Sequence, residues 1–528
     1  MFRLFKERRE TIIALIFSTI FAFFNSYGWA IQNIGTLEVS DRIIIFINTV
    51  IIAFVVGECY LRLKDWSVQN KIHVSEGYRE NEGLKYFIVC IIVMLVFWMP
   101  VFCAYYPGLF AYDVAGQIPQ TTEGYNTHHP LLHTLYLQFF YDLVGYKLFH
   151  SYNAGIALAS VTQMISFSIM LSYVHLFLYR MNFHKIVRYM LVGMSALLPY
   201  FSVLAISMTK DVLFSGFVAV FVTCLCYWEK MPGYYNKKSR IILYVGSAVG
   251  VILFRNNGIY SVVAVTCICG IVSLCKKNNY RQFLLTVMGL IVGLAINDGL
   301  KMGLQAQEGS LNEALSLPYQ QMSYVYHNKY NELTNEEISE IENWIPTVES
   351  YNPYCADGVK GVARGKDNIK DFIKFYIKLG MKYPAPYFRG GTQNNLGYLY
   401  LWDVSHAQIY GKDLNGRQGY LLTDTKQGFG VEHRSLFPAL ENVYEILYTT
   451  NEYQNILILR LLCSPALGFW CIVFCFFYTV DMKKRMIKLP FLFIAIYILT
   501  LFAGPCVLIR YALPYIICLP LLFVSVLD

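Results

Sequence analysis

Long apolar runs alternate with short polar segments along most of this chain. About 20 consecutive apolar residues are enough for a helix to cross the hydrocarbon core of a bilayer. The alternation therefore predicts an all-α polytopic membrane protein. We expect about twelve transmembrane helices, near residues 11–30, 43–59, 86–103, 153–179, 189–207, 212–228, 241–254, 258–275, 283–296, 456–478, 489–502 and 507–526.

One further apolar segment, residues 131–149, is predicted to lie on the membrane surface instead of crossing the bilayer. Aromatic and polar side chains are interleaved along it, as in an amphipathic interfacial helix. If the segment lies flat, the later clusters of Lys and Arg all fall on the side of the basic N-terminal segment, as the positive-inside rule requires. We therefore expect this segment on the outer face and both termini in the cytoplasm.

The polar region from residue 301 to about residue 455 is too long for a simple loop and large enough for a domain. Helical patterns occur near residues 335–344 and 367–379. We predict a smaller, α/β-mixed extracytoplasmic domain here. It follows a membrane domain of residues 1–300, with an outer loop at 104–151, and precedes C-terminal transmembrane helices in residues 456–528.

The composition agrees with this class of protein. Of 528 residues, 56% are hydrophobic and 15% are charged, and the mean hydropathy is +0.42. The net charge of +8 arises from short basic clusters between apolar runs. This distribution indicates a multi-pass protein of the cytoplasmic membrane in contact with lipid, and no nucleic-acid partner. Among the 14 cysteines, Cys355 alone lies well inside a long polar region, and no spacing indicates zinc or a disulfide framework.

The loop after the third predicted span carries unusual polar residues. It reads Tyr-Tyr-Pro-Gly-Leu-Phe-Ala-Tyr-Asp over residues 105–113 and continues to a His-His-Pro sequence at residues 128–130. No Lys or Arg occurs between Lys85 and Lys147, so Asp113 has no permanently charged basic neighbour in the sequence. An acid beside the membrane with no evident partner indicates a functional site. The alternative is that Asp113 caps a short interfacial helix.

Three basic residues break the positive-inside trend, because Lys210, Arg255 and Arg510 are all predicted at the outer face. Lys210 and Arg255 could instead snorkel to lipid headgroups. Arg510 is harder to explain in this way, since a guanidinium inside a span costs about 2.5–3.5 kcal/mol. Together with Asp113 and Asp211 at the same level, the three cations predict a site for an anionic, lipid-anchored phosphate.

These features resemble the GT-C superfamily of membrane glycosyltransferases, whose bacterial members include aminoarabinose and protein-mannosyl transferases. The shared features are the acid Asp113 in an outer loop with interfacial helices, the second acid in Lys210-Asp211, the outward domain before the last spans and the ending Arg510-Tyr511-x-x-Pro514. The chain differs in having two extra spans before the acidic loop. It also has Val114 where a second acid often follows the first.

The resemblance implies transfer of a sugar from a polyprenyl phosphate to an extracytoplasmic acceptor, namely a cell-envelope glycan, a lipid or a protein. In that scheme Asp113 is the general base and Asp211 orients Lys210 or the sugar. The cations stabilise the phosphate leaving group. The residues expected to bind the substrates are Lys210, Arg255, Asn256, Arg510, Tyr511, Tyr106, Tyr112, Gln117, His128 and His129.

Three alternatives stay open at this point. No metal ligand set is predicted, although His128 and His129 leave room for a divalent metal as a cofactor. A polymerase or ligase would use the same type of donor but transfer a whole glycan. A transporter or flippase would need charged residues near mid-bilayer and often has two related halves. The sequence has few charges within its spans and no second half that resembles the first.

Overall fold

A computed structural model describes residues 8–34, 39–69, 82–110, 112–231, 233–276, 280–365, 367–403, 429–449, 452–482 and 488–527. For a few of these, Tyr112 among them, the backbone alone is described. This part of the chain is mostly helical, with isolated β-bridges and no strand. Its α-helices are α1 (Arg8–Asn33), α2 (Val39–Gln69), α3 (Leu84–Ala104), α4 (Gln120–Glu123), α5 (Leu131–Gln138), α6 (Tyr152–Arg180), α7 (Lys185–Leu197), α8 (Pro199–Ala205), α9 (Lys210–Lys230), α10 (Lys238–Phe254), α11 (Gly258–Lys276), α12 (Tyr280–Gly303), α13 (Ser316–Lys329), α14 (Asn335–Trp344), α15 (Asp357–Val362), α16 (Ile369–Lys382), α17 (Pro384–Asn394), α18 (Leu396–Leu399), α19 (Pro438–Thr449), α20 (Leu457–Leu462), α21 (Pro465–Asp481), α22 (Leu489–Phe502) and α23 (Ile509–Leu527).

Seven of the described helices are long and apolar enough to cross a membrane, namely α1, α2, α3, α6, α9, α11 and α12. Helices α7 and α8 would together make an eighth span, which bends by 55°. The bend lies at Pro199, which lacks an N–H and disfavours a helical conformation in Leu198 before it. Three shorter apolar helices, α21 to α23, follow near the C-terminus. The prediction of a multi-pass, all-α membrane protein is thus confirmed, while the number of twelve spans stays a prediction.

Helix α9 lies at the centre of the bundle. In its most apolar stretch 89% of the residues are buried, compared with 28% in α2 and 17% in α12. It packs against α6, α10 and α23. Gly216 permits close approach of α6, because a Cβ at this position would lie 2.3 Å from the sulfur of Met170. Since α9 begins at Lys210 and Asp211, the packing that fixes this helix also fixes two of the candidate charges.

The segment predicted to lie on the membrane surface forms α5 and continues directly into a π-helix, Phe139–Leu148. The π-helix packs closely on α6, because a Cβ at Gly155 would lie 2.3 Å from the carbonyl oxygen of Phe140. Helix α5 contacts α10 and α12. The segment does not reach the length and apolarity of a span. Its interfacial position stays a prediction.

Helices α13 to α17 form a group of their own, called the cap below. Their main core contains Tyr319, Ile341 and Phe372. The two helices predicted in this region are α14 and α16, and α14 begins with a capping box between Thr334 and Glu337. The described part of the cap contains no strand. Residues 404–428 lie outside the described residues, so the α/β-mixed character and the domain boundaries stay predictions.

Candidate functional site

A cavity of about 710 Å³ lies between one end of the helix bundle and the cap. Its walls come from the 3-10 turn that carries Asp113, the loop before α5, the first turns of α9 and α23, the residues that follow α10, the end of α22 and the loop after it, Glu313, and the segment from Cys355 into α15. Eight of the predicted site residues line it: Asp113, His128, His129, Lys210, Arg255, Asn256, Arg510 and Tyr511. The helix packing therefore brings residues from four distant parts of the chain into one site.

The loop that carries Asp113 is attached to the start of α9 by its backbone. The N–H of Leu109 donates to the carbonyl of Ile206 at 3.0 Å, and the N–H of Met208 donates to the carbonyl of Leu109 at 2.9 Å. Gly108, just before, has a φ of +123°, a conformation that L side chains rarely adopt. This pairing places the short 3-10 turn with Asp113 beside the first turn of α9.

Asp113, Lys210 and His129 form the first part of the site. The Lys210 ammonium donates to Oδ2 of Asp113 at 2.8 Å and lies 2.9 Å from Nδ1 of His129. An ammonium can only donate, so Nδ1 of His129 accepts and the ring proton is on Nε2. The side chains of Lys210 and Asp113 are only 15% and 13% exposed. The carboxylate thus binds a side-chain cation from another helix, which differs from the role of a helix cap.

Burial and charge together set the protonation of this group. Burial alone would raise the pKa of Asp113, but the charges of Arg510 and Lys210 outweigh it and hold the pKa well below its usual range. Burial, assisted by the charge of Lys210, lowers the pKa of His129 to about 2. At neutral pH the group therefore contains an ionised carboxylate, an ammonium and a neutral imidazole.

The second acid, Asp211, is fully buried and completes the network. The guanidinium of Arg255 donates to Oδ1 of Asp211. Arg510 bridges both acids: its Nε lies 3.6 Å from Oδ2 of Asp211, and its Nη1 donates to Oδ2 of Asp113 at 3.4 Å. The N-terminus of α9 also favours a carboxylate at this position. All five charges are thus linked in one network.

The ring of Tyr511 orients the two guanidinium groups. Its centroid lies 4.4 Å from Cζ of Arg255 and 5.1 Å from Cζ of Arg510. Such cation–π contacts favour a fixed position of the cation above the ring. The side chains of Arg255 and Arg510 are 13% and 10% exposed and are ion-paired. This arrangement differs from that of a side chain that snorkels to lipid headgroups.

The charges around the cavity are segregated. We call the wall on the side of the helix bundle the inner wall. It carries a net charge of +1 when His129 is neutral, from three cations and two carboxylates: Lys210, Arg255, Arg510, Asp113 and Asp211. On the side of the cap, the Lys360 ammonium lies 2.5 Å from Glu313 and 2.8 Å from Asp357, a net charge of −1. A bound anion would therefore be attracted to the inner wall, whereas neutral or cationic polar groups suit the side of the cap.

Two further predicted residues lie at the edge of the cavity. The side-chain amide of Asn256 donates to the carbonyl of Thr127 at 3.1 Å, which ties the turn after α10 to the loop that precedes α5. His128 Nδ1 lies 3.7 Å from the carboxylate of Glu313. These contacts join the bundle to the segment that leads into the cap.

Three other predicted residues are not placed in the cavity by the structure. Gln117 is fully buried, and its amide donates to Thr134 at 2.9 Å and accepts from His133 at 3.1 Å. Tyr106 packs edge-on against Phe102 of α3. The side chain of Tyr112 lies outside the described residues. The sequence signal for these residues was their proximity to Asp113 in the chain, which does not decide the direction of a side chain.

The structure also adds residues that the sequence analysis did not single out as a group. Glu313, Asp357 and Lys360 come from the predicted extracytoplasmic region, whose position over the bundle could not be read from the sequence. Cys506 ends an apolar run, yet it is paired by its backbone with Cys355. Within the described residues, Cys355, Asp357 and Cys506 are the group with the spacing of a metal site. His128 and His129 instead face Glu313 and Lys210.

Comparison with known proteins gives one match. The signature of a family of unknown function, DUF6020, matches residues 118–528, which is more than half of the chain. The chain belongs to the DUF6020 family. The matched residues include the second acid and all three cations of the site, whereas Asp113 lies just before them. No curated protein and no solved structure matches this DUF6020 chain.

Proposed function

We propose that this DUF6020 protein is an integral membrane glycosyltransferase. It would move a sugar from a polyprenyl-phosphate donor to an extracytoplasmic acceptor in the cell envelope. The observation that carries this proposal is the net positive inner wall around Asp113, in a cavity at the ends of membrane helices. A phosphate attached to a long lipid can reach such a wall while its hydrocarbon chain stays in the bilayer.

The donor phosphate would bind to the cations that now pair with the two acids. Arg510 and Arg255 present planar guanidinium groups, which match the oxygens of a phosphate better than a single ammonium does. Charge would develop on the phosphate oxygen as the bond to the sugar breaks. Cations already fixed by Tyr511 and the acids need little reorganisation to stabilise that charge.

Asp113 would act as the general base. The acceptor oxygen attacks the anomeric carbon, its proton passes to the Asp113 carboxylate, and the lipid phosphate leaves with the electrons of the broken C–O bond. The neighbouring cations keep Asp113 ionised, as a base must be, but they also weaken its basicity. A bound phosphate would compete for Lys210 and Arg510, and Asp113 would become a stronger base when the donor is in place.

Two alternative functions, glycan polymerase or ligase and transporter or flippase, predict different fates of the lipid-linked substrate. A polymerase or ligase would use the same inner wall and transfer a whole glycan instead of a single sugar. A transporter or flippase would move its substrate across the bilayer without breaking the bond to phosphate. The network lies at helix ends, in the first turns of α9 and α23 and just after α10, which favours chemistry at one face.

The test is a reconstitution of the purified full-length protein in liposomes with a panel of polyprenyl-phosphate sugars that carry a radiolabel. If the protein transfers a single sugar, free polyprenyl phosphate should be released, and an added envelope acceptor should gain one radiolabelled sugar unit. Labelling by a whole glycan from a preassembled donor would identify a ligase or polymerase. Movement of an intact donor between leaflets, with no bond broken for any donor of the panel, would contradict the proposal.

A further inference from the structure

Two cysteines and an aspartate meet where the cap touches the bundle. The ligand atoms of Cys355, Asp357 and Cys506 all lie within 4.8 Å of one another, and the Cys355 sulfur is 3.5 Å from Oδ2 of Asp357. Cys355 and Cys506 are 8% and 2% exposed, whereas Asp357 is exposed toward the cavity. The group is thus buried on its sulfur side and accessible on its carboxylate side.

The backbone holds this group together. Cys355 and Cys506 face each other in an antiparallel β-bridge, and the N–H of Ala356 donates to the carbonyl of Pro505 at 2.8 Å. The side-chain amide of Asn394 also donates to the carbonyl of Gly504 in the same loop, and that of Asn395 to the carbonyl of Phe502 at the end of α22, at 3.0 Å each. The two thiols are therefore positioned by main-chain pairing as well as by their own packing.

We propose that Cys355, Asp357 and Cys506 bind a thiophilic divalent cation such as Zn²⁺. Zinc takes Cys sulfur at about 2.3 Å and Asp oxygen at about 2.0–2.2 Å in a tetrahedron, which requires ligand atoms about 3.5–3.8 Å apart. Two sulfurs and one oxygen are a donor set that favours zinc over magnesium or calcium. Three protein ligands would leave a fourth position for water or substrate, and two of them, Cys355 and Asp357, line the cavity.

Binding is an exchange of protons for the metal, without oxidation. Two metal–sulfur bonds and one metal–oxygen bond form, and the two thiol protons pass to solvent. The Lys360 ammonium, 2.8 Å from Oδ1 of Asp357, offsets part of the negative charge of two thiolates and a carboxylate. It also holds the carboxylate in place, as an outer-shell partner does in known metal sites.

The consequence concerns the position of Arg510. Cys506 lies four residues before Arg510, in the loop that leads into α23. A metal that ties this loop to the cap would fix the start of α23 and with it the guanidinium that bridges Asp113 and Asp211. This inference does not depend on sugar transfer, because metal binding is measured without any substrate.

The experiment uses the full-length protein, purified in detergent without oxygen and freed of reductant, and titrated with Co²⁺ and then Zn²⁺. We expect one equivalent of Co²⁺ with a thiolate charge-transfer band, which Zn²⁺ abolishes. Cys355→Ser and Cys506→Ser should remove the band, and Asp357→Asn should weaken binding at least about tenfold, since loss of an outer-shell partner alone costs that much. Cys267→Ser, at an exposed position of α11, is the matched control and should bind as the wild type does.

A second measurement needs no variant. Zn²⁺ should protect Cys355, which lines the cavity, from maleimide in the wild type, while exposed Cys275 at the end of α11 is labelled with or without metal. The proposal would be overturned if the protein bound no metal, or if Zn²⁺ did not protect Cys355 from maleimide. It would also be overturned if Cys355→Ser and Cys506→Ser both still bound the metal. A disulfide between Cys355 and Cys506 in membranes alkylated at lysis would overturn it as well, because the thiols would then be unable to bind a metal.

Discussion

At the scale of single residues, the site is governed by charge compensation. Each of its five charged groups lies within salt-bridge distance of an opposite charge, although they come from four separate parts of the chain. A buried charge is tolerated when it is paired and hydrogen-bonded. The sequence could mark Lys210, Arg255 and Arg510 as anomalous, because charges at those places are costly. It could not assign their partners, since these depend on how α9, α10 and α23 pack.

Arg510 gives the first prediction. Arg510→Ala should raise the Kd for a lipid-phosphate donor by about tenfold or more, because a hydrogen bond to a charged group contributes about 1.5–3 kcal/mol. Arg510→Lys should recover only part of the affinity, since the planar fork is lost. Binding is measured with a fluorescent polyprenyl phosphate, with Arg434→Ala at a highly exposed position as control. An unchanged Kd in Arg510→Ala would leave this residue a purely structural role.

His133 gives a prediction on pH. Burial, with a smaller contribution from Lys210, lowers its pKa to about 3, whereas an unfolded imidazole titrates near 6.5. Between these values the unfolded chain binds a proton that the folded protein does not, so stability is lost as pH falls below about 6.5. The melting temperature in detergent should decrease from pH 7 to pH 5, and less so in His133→Gln. The exposed control His184→Gln should follow the wild type. An identical decrease in His133→Gln would contradict this account.

At the scale of elements, two features show how tertiary packing decides the outcome of a sequence pattern. The apolar run predicted near residues 189–207 is broken at Pro199, where a proline at the first position of α8 allows a 55° bend. The apolar segment 131–149 is divided between α5 and a π-helix that packs on α6 through Gly155. In both cases the apolar pattern located a helix, but the geometry came from proline or glycine and from the neighbouring helices.

The position of α5 and the π-helix gives a prediction on topology. If this segment lies on the outer face, single cysteines that replace Glu123 and Lys147, both exposed, should react with an impermeant maleimide added to intact cells. A cysteine that replaces Lys185, in the segment predicted to be cytoplasmic, should react only after the membrane is opened. Labelling of position 123 but not position 147 would mean that the segment crosses the membrane, and the site would then need a different orientation.

At the scale of the whole molecule, composition and apolar periodicity were sufficient to predict the class of fold, because a bilayer imposes a strong length requirement on its spans. The sequence also located most of the charged site, since charges beside the membrane are rare and costly. It could not show that Glu313, Asp357 and Lys360 close the cavity, because that depends on how the cap lies over the bundle. For the same reason the proximity of Cys355 to Cys506, which is not encoded in any local spacing, emerged only from the structure.

The most direct test of the central proposal is the rate of sugar transfer by Asp113→Asn, measured in a single turnover with a donor that the wild type accepts. Asparagine keeps the size of the side chain and can still accept from Lys210, so the protein should fold and bind the donor at least as well as the wild type does. Without a proton acceptor, transfer should fall by about 100-fold or more. Asp142→Asn, in the π-helix and away from the cavity, is the matched control. A folded Asp113→Asn protein that transfers sugar at nearly the wild-type rate would contradict the assignment of Asp113 as the base.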